Sequence, residues 1–211
     1  MRPIFVAFLV VATACATHHG TGDDGTSLDD LTGLEIAPAD QTLVIDNGIA
    51  ATSTYTVTGR FVDGHTEDVT SRVTLALLDG TIGQIVTGGL FTSVTNHGGA
   101  TQVVASGGSQ EVATGLTVMF KQTYNDPGST GLPTDPGGLF NGTDTAARAP
   151  SLVYPNDNVL VPPNLGKLEF HFMPGAGNTL FQLSMKNATT DITVYLQCNL
   201  PMNGGCIYLP D

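Results

Sequence analysis

The 211-residue sequence carries 19 acidic against 7 basic residues, a formal net charge of −12, with charged residues making up only 12% of the chain. Nucleic acid is excluded as a partner, because holding phosphates takes clustered Lys or Arg and the basic residues here are scattered. Gly 26 and Pro 12, many Thr and Val, and no long helical heptad describe short strands joined by tight turns, so the expected class is all-β.

At the N-terminus Arg2 precedes an apolar run from Ile4 to Ala12, and the small-residue site Ala12-Thr13-Ala14 ends at Cys15. The run is about half of the roughly 20 residues that a membrane span needs, so it reads as the apolar region of an export signal. With a cysteine at the cut, the stretch resembles a bacterial lipoprotein signal. That resemblance implies removal of residues 1–14, diacylation of Cys15 and N-acylation of its freed amine. Ala12 stands where that family usually has leucine. Ala-x-Ala also suits the ordinary signal peptidase, which would cut at the same bond and leave Cys15 unlipidated. Ala16, in place of an aspartate after the cysteine, implies by the same resemblance sorting to the outer membrane if the host is Gram-negative.

Residues 15–33 are rich in Gly, Thr and Asp and short of large apolar side chains, so a disordered tether is expected there. His18-His19 and Asp23-Asp24 lie in this stretch without the fixed geometry that a metal site requires. From residue 34 the periodicity changes. Leu34-Glu35-Ile36 alternates, and Tyr55, Val57, Gly59 and Phe61 share one face of a strand whose other face is Thr54, Thr56, Thr58 and Arg60. Asp63-Gly64 turns that strand back. Val73, Leu75 and Leu77 repeat the period of two, and further apolar runs follow at Ile82 to Val86, Leu90 to Val94, Val103 to Ala105 and Leu116 to Phe120. Strands about ten residues apart with turn chemistry between them predict a two-layered β-sandwich over residues 34–120.

The run Gly59-Arg60-Phe61-Val62-Asp63-Gly64-His65-Thr66-Glu67-Asp68-Val69-Thr70-Ser71-Arg72-Val73 resembles the signature of the bacterial immunoglobulin-like domain of group 2 (BIG2). Ile36-Ala37-Pro38 and Leu116-Thr117-Val118 stand where that family has its first and last strands. Leu75 replaces the family's usual core tryptophan. The resemblance implies an immunoglobulin-like β-sandwich with a noncatalytic surface role. Asp63, Glu67, Asp68 and Asp79 are the acids that could be imagined around calcium, but His65 stands where an EF-type loop needs an oxygen and the distal glutamate is missing, so they read as solvated turn acids. His65 and His97 lie in turn-rich stretches without a Gly-x-Ser-x-Gly or His-Glu-x-x-His motif.

Residues 121–149 contain two Asp-Pro-Gly turn formers and few apolar residues, which predicts a flexible Pro/Gly-rich linker, with Leu139-Phe140 as an exposed pair. Residues 150–211 read as a second β-unit whose opening resembles fibronectin- or immunoglobulin-like domains. Ser151 to Tyr154 and Val159 to Val161 look like an edge strand broken by prolines. Leu168, Phe170 and Phe172 alternate with Lys167, Glu169 and His171, and Leu180 to Met185 and Ile192 to Leu196 continue the pattern. About five or six short strands fall below the seven of an immunoglobulin-type sandwich, so this β-sandwich unit is expected to be truncated, leaving Phe170, Phe172, Phe181 and Leu183 uncovered. The alternative is a small complete unit fastened by a bridge. Cys198 and Cys206 are expected to form that disulfide, since two thiols without a nearby His or third Cys cannot complete a zinc shell.

Together these readings predict a lipid-anchored, noncatalytic protein of the cell envelope, at the outer membrane or cell surface. It would meet the membrane through Cys15 and act in adhesion, spacing or binding of a protein or glycan ligand. No catalytic residue, metal ligand or cofactor is assigned. The alternative is an accessory or sugar-binding region of a truncated exported hydrolase. Sugar sites usually stack ligands on aromatic platforms, and this chain has no Trp and 5 Tyr.

Overall fold

The computed structural model describes residues 28–162, 164–198 and 205–210. The expected signal at residues 1–14 and Cys15 lie outside them. The described residues contain strands and short 3-10 turns and no α-helix, so the fold class is all-β, built as layered sheets.

In the first unit, β1 (Leu31–Ala37), β4 (Thr56–Phe61) and β5 (Thr66–Asp68) form an antiparallel sheet. It adjoins the sheet of β3 (Thr52–Thr54), β8 (Leu90–Ser93) and β7 (Gly83–Ile85) through a one-residue break at Tyr55. Across the core lie β2 (Gln41–Asp46), β10 (Gln110–Asn125), β9 (Gly99–Gly107) and β6 (Thr74–Leu77). The alternation read in the sequence is what closes the layers. Val57, Gly59 and Phe61 of β4 face inward and Thr56, Thr58 and Arg60 outward. Ile45, Tyr55, Val57, Phe91, Val103 and Val118 are completely buried together. Leu75, at the expected tryptophan position, packs half-buried against this core. The chain starts in one layer as β1 and crosses to the other as β2. That corner is pinned by Asp40, whose amide donates to Thr114 Oγ1 at 2.8 Å and whose carboxylate accepts the Gly115 amide at 3.1 Å.

Two expected boundaries move. The tether does not extend through Gly33: Leu31 pairs with Phe61 and is buried, and Leu28 packs on the core. Those two leucines anchor the strand start, and the surrounding Asp, Thr and Gly hide it from a composition-based reading. Nor does a linker begin at Lys121. Strand β10 runs 16 residues to Asn125. Its first part pairs antiparallel with β9 from Gln110 to Val118. Its other side pairs in parallel with β2 from Leu116 to Lys121. From Phe120 to Asn125 it pairs in parallel with β14 (Thr190–Gln197). Since the β14 pairing overlaps the β2 pairing at Phe120 and Lys121, β14 takes the side that β9 has vacated. The remainder of the expected linker is fastened too. The Asp126 amide donates to Tyr195 O at 2.9 Å. Ser129 is buried and its hydroxyl accepts the Gln197 amide at 2.7 Å. Phe140 packs its ring on Tyr195, and Arg148 Nη2 donates to Asn178 Oδ1 at 3.0 Å. A polar segment adjoining an open strand edge finds its hydrogen bonds there.

The second unit therefore draws β10 from outside its expected range. β13 (Leu180–Lys186) and β14 continue the sheet, and β11 (Ser151–Tyr154), β12 (Phe170–Met173) and β15 (Cys206–Tyr208) form the layer opposite. Phe170, Phe172 and Phe181 are buried between the layers, contrary to the expectation that they lack cover, whereas Leu183 stays half-exposed. The cover comes from the two layers themselves: Phe170 and Phe172 of β12 and Cys206 and Tyr208 of β15 cluster with Phe181, Val194 and Leu196 of the facing sheet, and β15 pairs with β12 beside the Cys198–Cys206 disulfide. Val159 to Val161 does not form a strand. Asn156 to Val159 is a turn, with Asn158 at φ +60, and it leaves Leu160 94% exposed.

Gly98 sits at the handover from β9 to β14. A β-carbon there would lie 2.2 Å from Thr189 O, 2.4 Å from Val118 O and 2.8 Å from Phe120 N, all backbone atoms. The amide of Phe120 donates to Thr189 O at 2.9 Å across the same point. Gly98→Ala is expected to destabilise the protein by about 1–3 kcal/mol in urea unfolding, and to split the transition as the second unit loosens first. An unchanged single transition would contradict this role for the junction.

Candidate functional site

The segment singled out in the sequence, Phe61 to Val73, forms one end of the first unit. The Asp63-Gly64 turn closes β4 onto β5, with Gly64 at φ +88 and its amide donating to Phe61 O at 2.9 Å, a conformation in which a β-carbon would be strained. His65 lies flat on Phe61, ring centroids 4.5 Å apart. Its Nδ1 is 2.5 Å from Asp63 Oδ1, and its amide also donates to that oxygen at 3.1 Å. The backbone bond, followed by the imidazole bond, holds the Asp63 carboxyl below its usual range. Asp29, Asp30 and Glu67 join these residues around an open concavity of about 330 Å³. Glu67 is paired with Arg72.

The four acids considered for calcium do not converge. Asp63 is tied to His65 and Glu67 to Arg72. Asp79 accepts the Thr81 amide at 2.9 Å and caps a 3-10 turn. Asp68 accepts both the amide and the hydroxyl of Thr70, at 2.9 and 2.5 Å. Among the described residues no group of three or more His, Cys, Asp or Glu is arranged to hold a metal ion. Among the described residues the other two imidazoles are equally local, His97 Nδ1 lying 3.0 Å from Asn96 Oδ1 and His171 Nε2 lying 3.0 Å from Glu169 Oε2.

The second unit presents a different surface. An open apolar groove of about 210 Å³ runs between β11 and β13, lined by Leu152, Phe172, Phe181, Leu183 and Leu196. Leu152, Val153 and Tyr154 of β11 are each about half exposed. No charged side chain lines the groove. The sequence pattern marked these residues as strand, and the signal for the groove was the shortness of the covering strands. One polar atom was not foreseen: Tyr55 is wholly buried and its hydroxyl has no hydrogen-bond partner among the described residues. Burial raises its pKa.

Cys15 lies outside the described residues, and Cys198 and Cys206 are joined in a disulfide with Cα atoms 5.6 Å apart.

No family model matches the chain, and no curated protein matches its sequence. Among solved structures, domains 1–6 of the surface layer protein SbsC are similar over 79% of this chain, with 11% identity and a TM-score of 0.33. This chain spans 21% of the length of that one. A likeness of this size carries no argument about function.

Thr70 is the most consequential polar residue of this end. Its buried hydroxyl accepts the Val57 amide at 2.7 Å while donating to Asp68. Thr70→Val strands the Val57 amide in the core and is expected to cost about 1–3 kcal/mol in chemical denaturation. The hydrogen bonds from Thr70 lower the pKa of Asp68 from its usual 3.8. A depressed carboxyl contributes stability above its unfolded pKa and loses it as the pH falls through its folded one. The stability gap between the wild type and Asp68→Asn should therefore be present at pH 7 and close below pH 3.8. A gap that does not change with pH would show that the carboxylate is not the group responsible.

Proposed function

We propose that this chain is a noncatalytic envelope protein, lipid-anchored through Cys15, that works as a stiff spacer holding its second β-unit away from the membrane. The observation that carries this reading is the continuity of β10, which supplies ladder hydrogen bonds to both units without an intervening loop. Two units joined by a flexible linker would sample many orientations. A shared strand with the Asp126, Ser129 and Phe140 contacts behind it restricts them. The export reading rests on the signal-like residues 1–14 and on a disulfide at Cys198 and Cys206, which suits an oxidising compartment. The noncatalytic reading is supported by where His65, His97, Asp63, Glu67, Asp68 and Asp79 are used: each of these is bonded to a neighbour a few residues away rather than directed at a shared point. The immunoglobulin-like resemblance of residues 34–120 fits a structural module of this kind.

Two measurements test it. Spin labels at Ser109→Cys and Asn156→Cys, on a Cys15→Ser background and in spin-diluted samples, are expected to give one narrow distance peak. A broad distribution would overturn the spacer. Cys15→Ser itself should move the protein from the membrane to the soluble fraction of its host, because the acyl chains supply the anchoring. An unacylated Cys15 in the mass spectrum of the native protein would refute the anchor.

A further inference from the structure

The groove of the second unit is bounded by two sheet edges that differ in kind. β11 is a protected edge. It is four residues long, it lies between Pro150 and Pro155, and a bulge interrupts its pairing with β12 between Leu152 and Tyr154. Short length, flanking proline and bulges are the devices that keep an edge from pairing with another chain. β13 has none of them over its seven residues, Leu180 to Lys186. It pairs with β14 along one side, and among the described residues no strand pairs with the other. An unblocked edge of this length presents a row of backbone donors and acceptors to solvent.

We propose that this edge pairs antiparallel with β13 of a second copy of the chain, joining two six-stranded sheets across a two-fold axis at Leu183. The pattern of β13 itself selects the occupant. In the antiparallel register with full overlap, positions symmetric about 183 stand opposite each other. On the inward face Phe181 meets Met185 of the second copy and Leu183 meets Leu183. On the outward face Gln182 meets Ser184 and Leu180 meets Lys186. Every inward pair is apolar, and no like charges are opposed, which is the arrangement that stabilises a ladder. A shift of one residue would set inward side chains against outward ones. Lys186 already pairs within its own chain, 3.2 Å from Asp191 Oδ1. The pairing also brings a second apolar row beside half-exposed Met185 and beside half-exposed Leu183, which lines the open groove. A contact of the same patch with itself closes as a dimer rather than propagating as a fibre. The pairing is independent of any anchor at Cys15.

The experiment uses the full chain with Cys15→Ser, so that acyl chains cannot be the cause of association. Sedimentation equilibrium is expected to show a dimer. Gln182→Lys combined with Ser184→Lys changes two exposed positions and sets Lys against Lys twice in this register, which should weaken the dimer at least about tenfold. Gln182→Lys with Ser184→Glu sets opposite charges in the same places and should restore it. Leu183→Cys supplies one free thiol on the axis, and it should form a disulfide-linked dimer under mild oxidation. A monomer throughout, or a dimer that the paired lysines leave unchanged, overturns the proposal. Dimerisation of both charge variants alike would assign the contact to another surface.

Discussion

The structure depends on the hydrogen-bond ladder that β10 carries past Phe120. Up to Val118 that strand closes the first sandwich against β9, and from Phe120 it carries the same sheet into the second unit against β14. On the opposite side β2 spans the changeover, pairing with β10 through Lys121. The Asn47 carboxamide then accepts the Thr123 amide at 2.8 Å beyond the end of β2. Backbone groups in this region are satisfied on both sides of the changeover, which is why the strand does not fray into a loop at the edge of the first core. The condition is close approach. Gly98 lets the start of β9 and the turn before β14 meet end to end over β10.

The two units are stabilised differently around this shared strand. The first has a core built on completely buried large side chains, Tyr55, Phe91 and Ile45 among them, and polar pins at Asp40, Thr70 and Ser93 hold its corners. The second has three-residue and four-residue strands in its covering layer and a smaller core, with the Cys198–Cys206 disulfide closing a short loop beside it. In the chain-entropy picture such a loop contributes about 2.5 kcal/mol, a sizeable share for a core of that extent. Borrowing the six residues Phe120 to Asn125 of β10 completes the sheet that the second unit's own sequence leaves narrow.

The first sandwich was legible because its residues obey local rules. The alternation of Tyr55 to Phe61 and the Asp63-Gly64 turn each encode their geometry within a few positions. The disulfide was legible from the spacing of two thiols in a chain whose first 14 residues read as an export signal. The extension of β10 was not, because Lys121-Gln122-Thr123-Tyr124-Asn125 is polar, and its strand conformation is imposed by a neighbour some 70 residues later in the chain. Leu28 and Leu31 were obscured for the opposite reason: apolar anchors sit inside a stretch whose average composition is that of a tether. As for the candidate site, the acids and imidazoles were identifiable by type, but only the folded geometry shows each one bonded locally. The bare edge of β13 follows from the sheet order, which no periodicity contains.

The most direct test of the shared ladder is amide hydrogen exchange along β10. If both units hang on one continuous strand, the amides of Leu116 to Phe120 and those of Lys121 to Tyr124 should exchange through a common opening with similar free energy. Slow exchange that ends at Phe120, with the amides from Lys121 onward exchanging as freely as a solvent-exposed linker, would contradict the account.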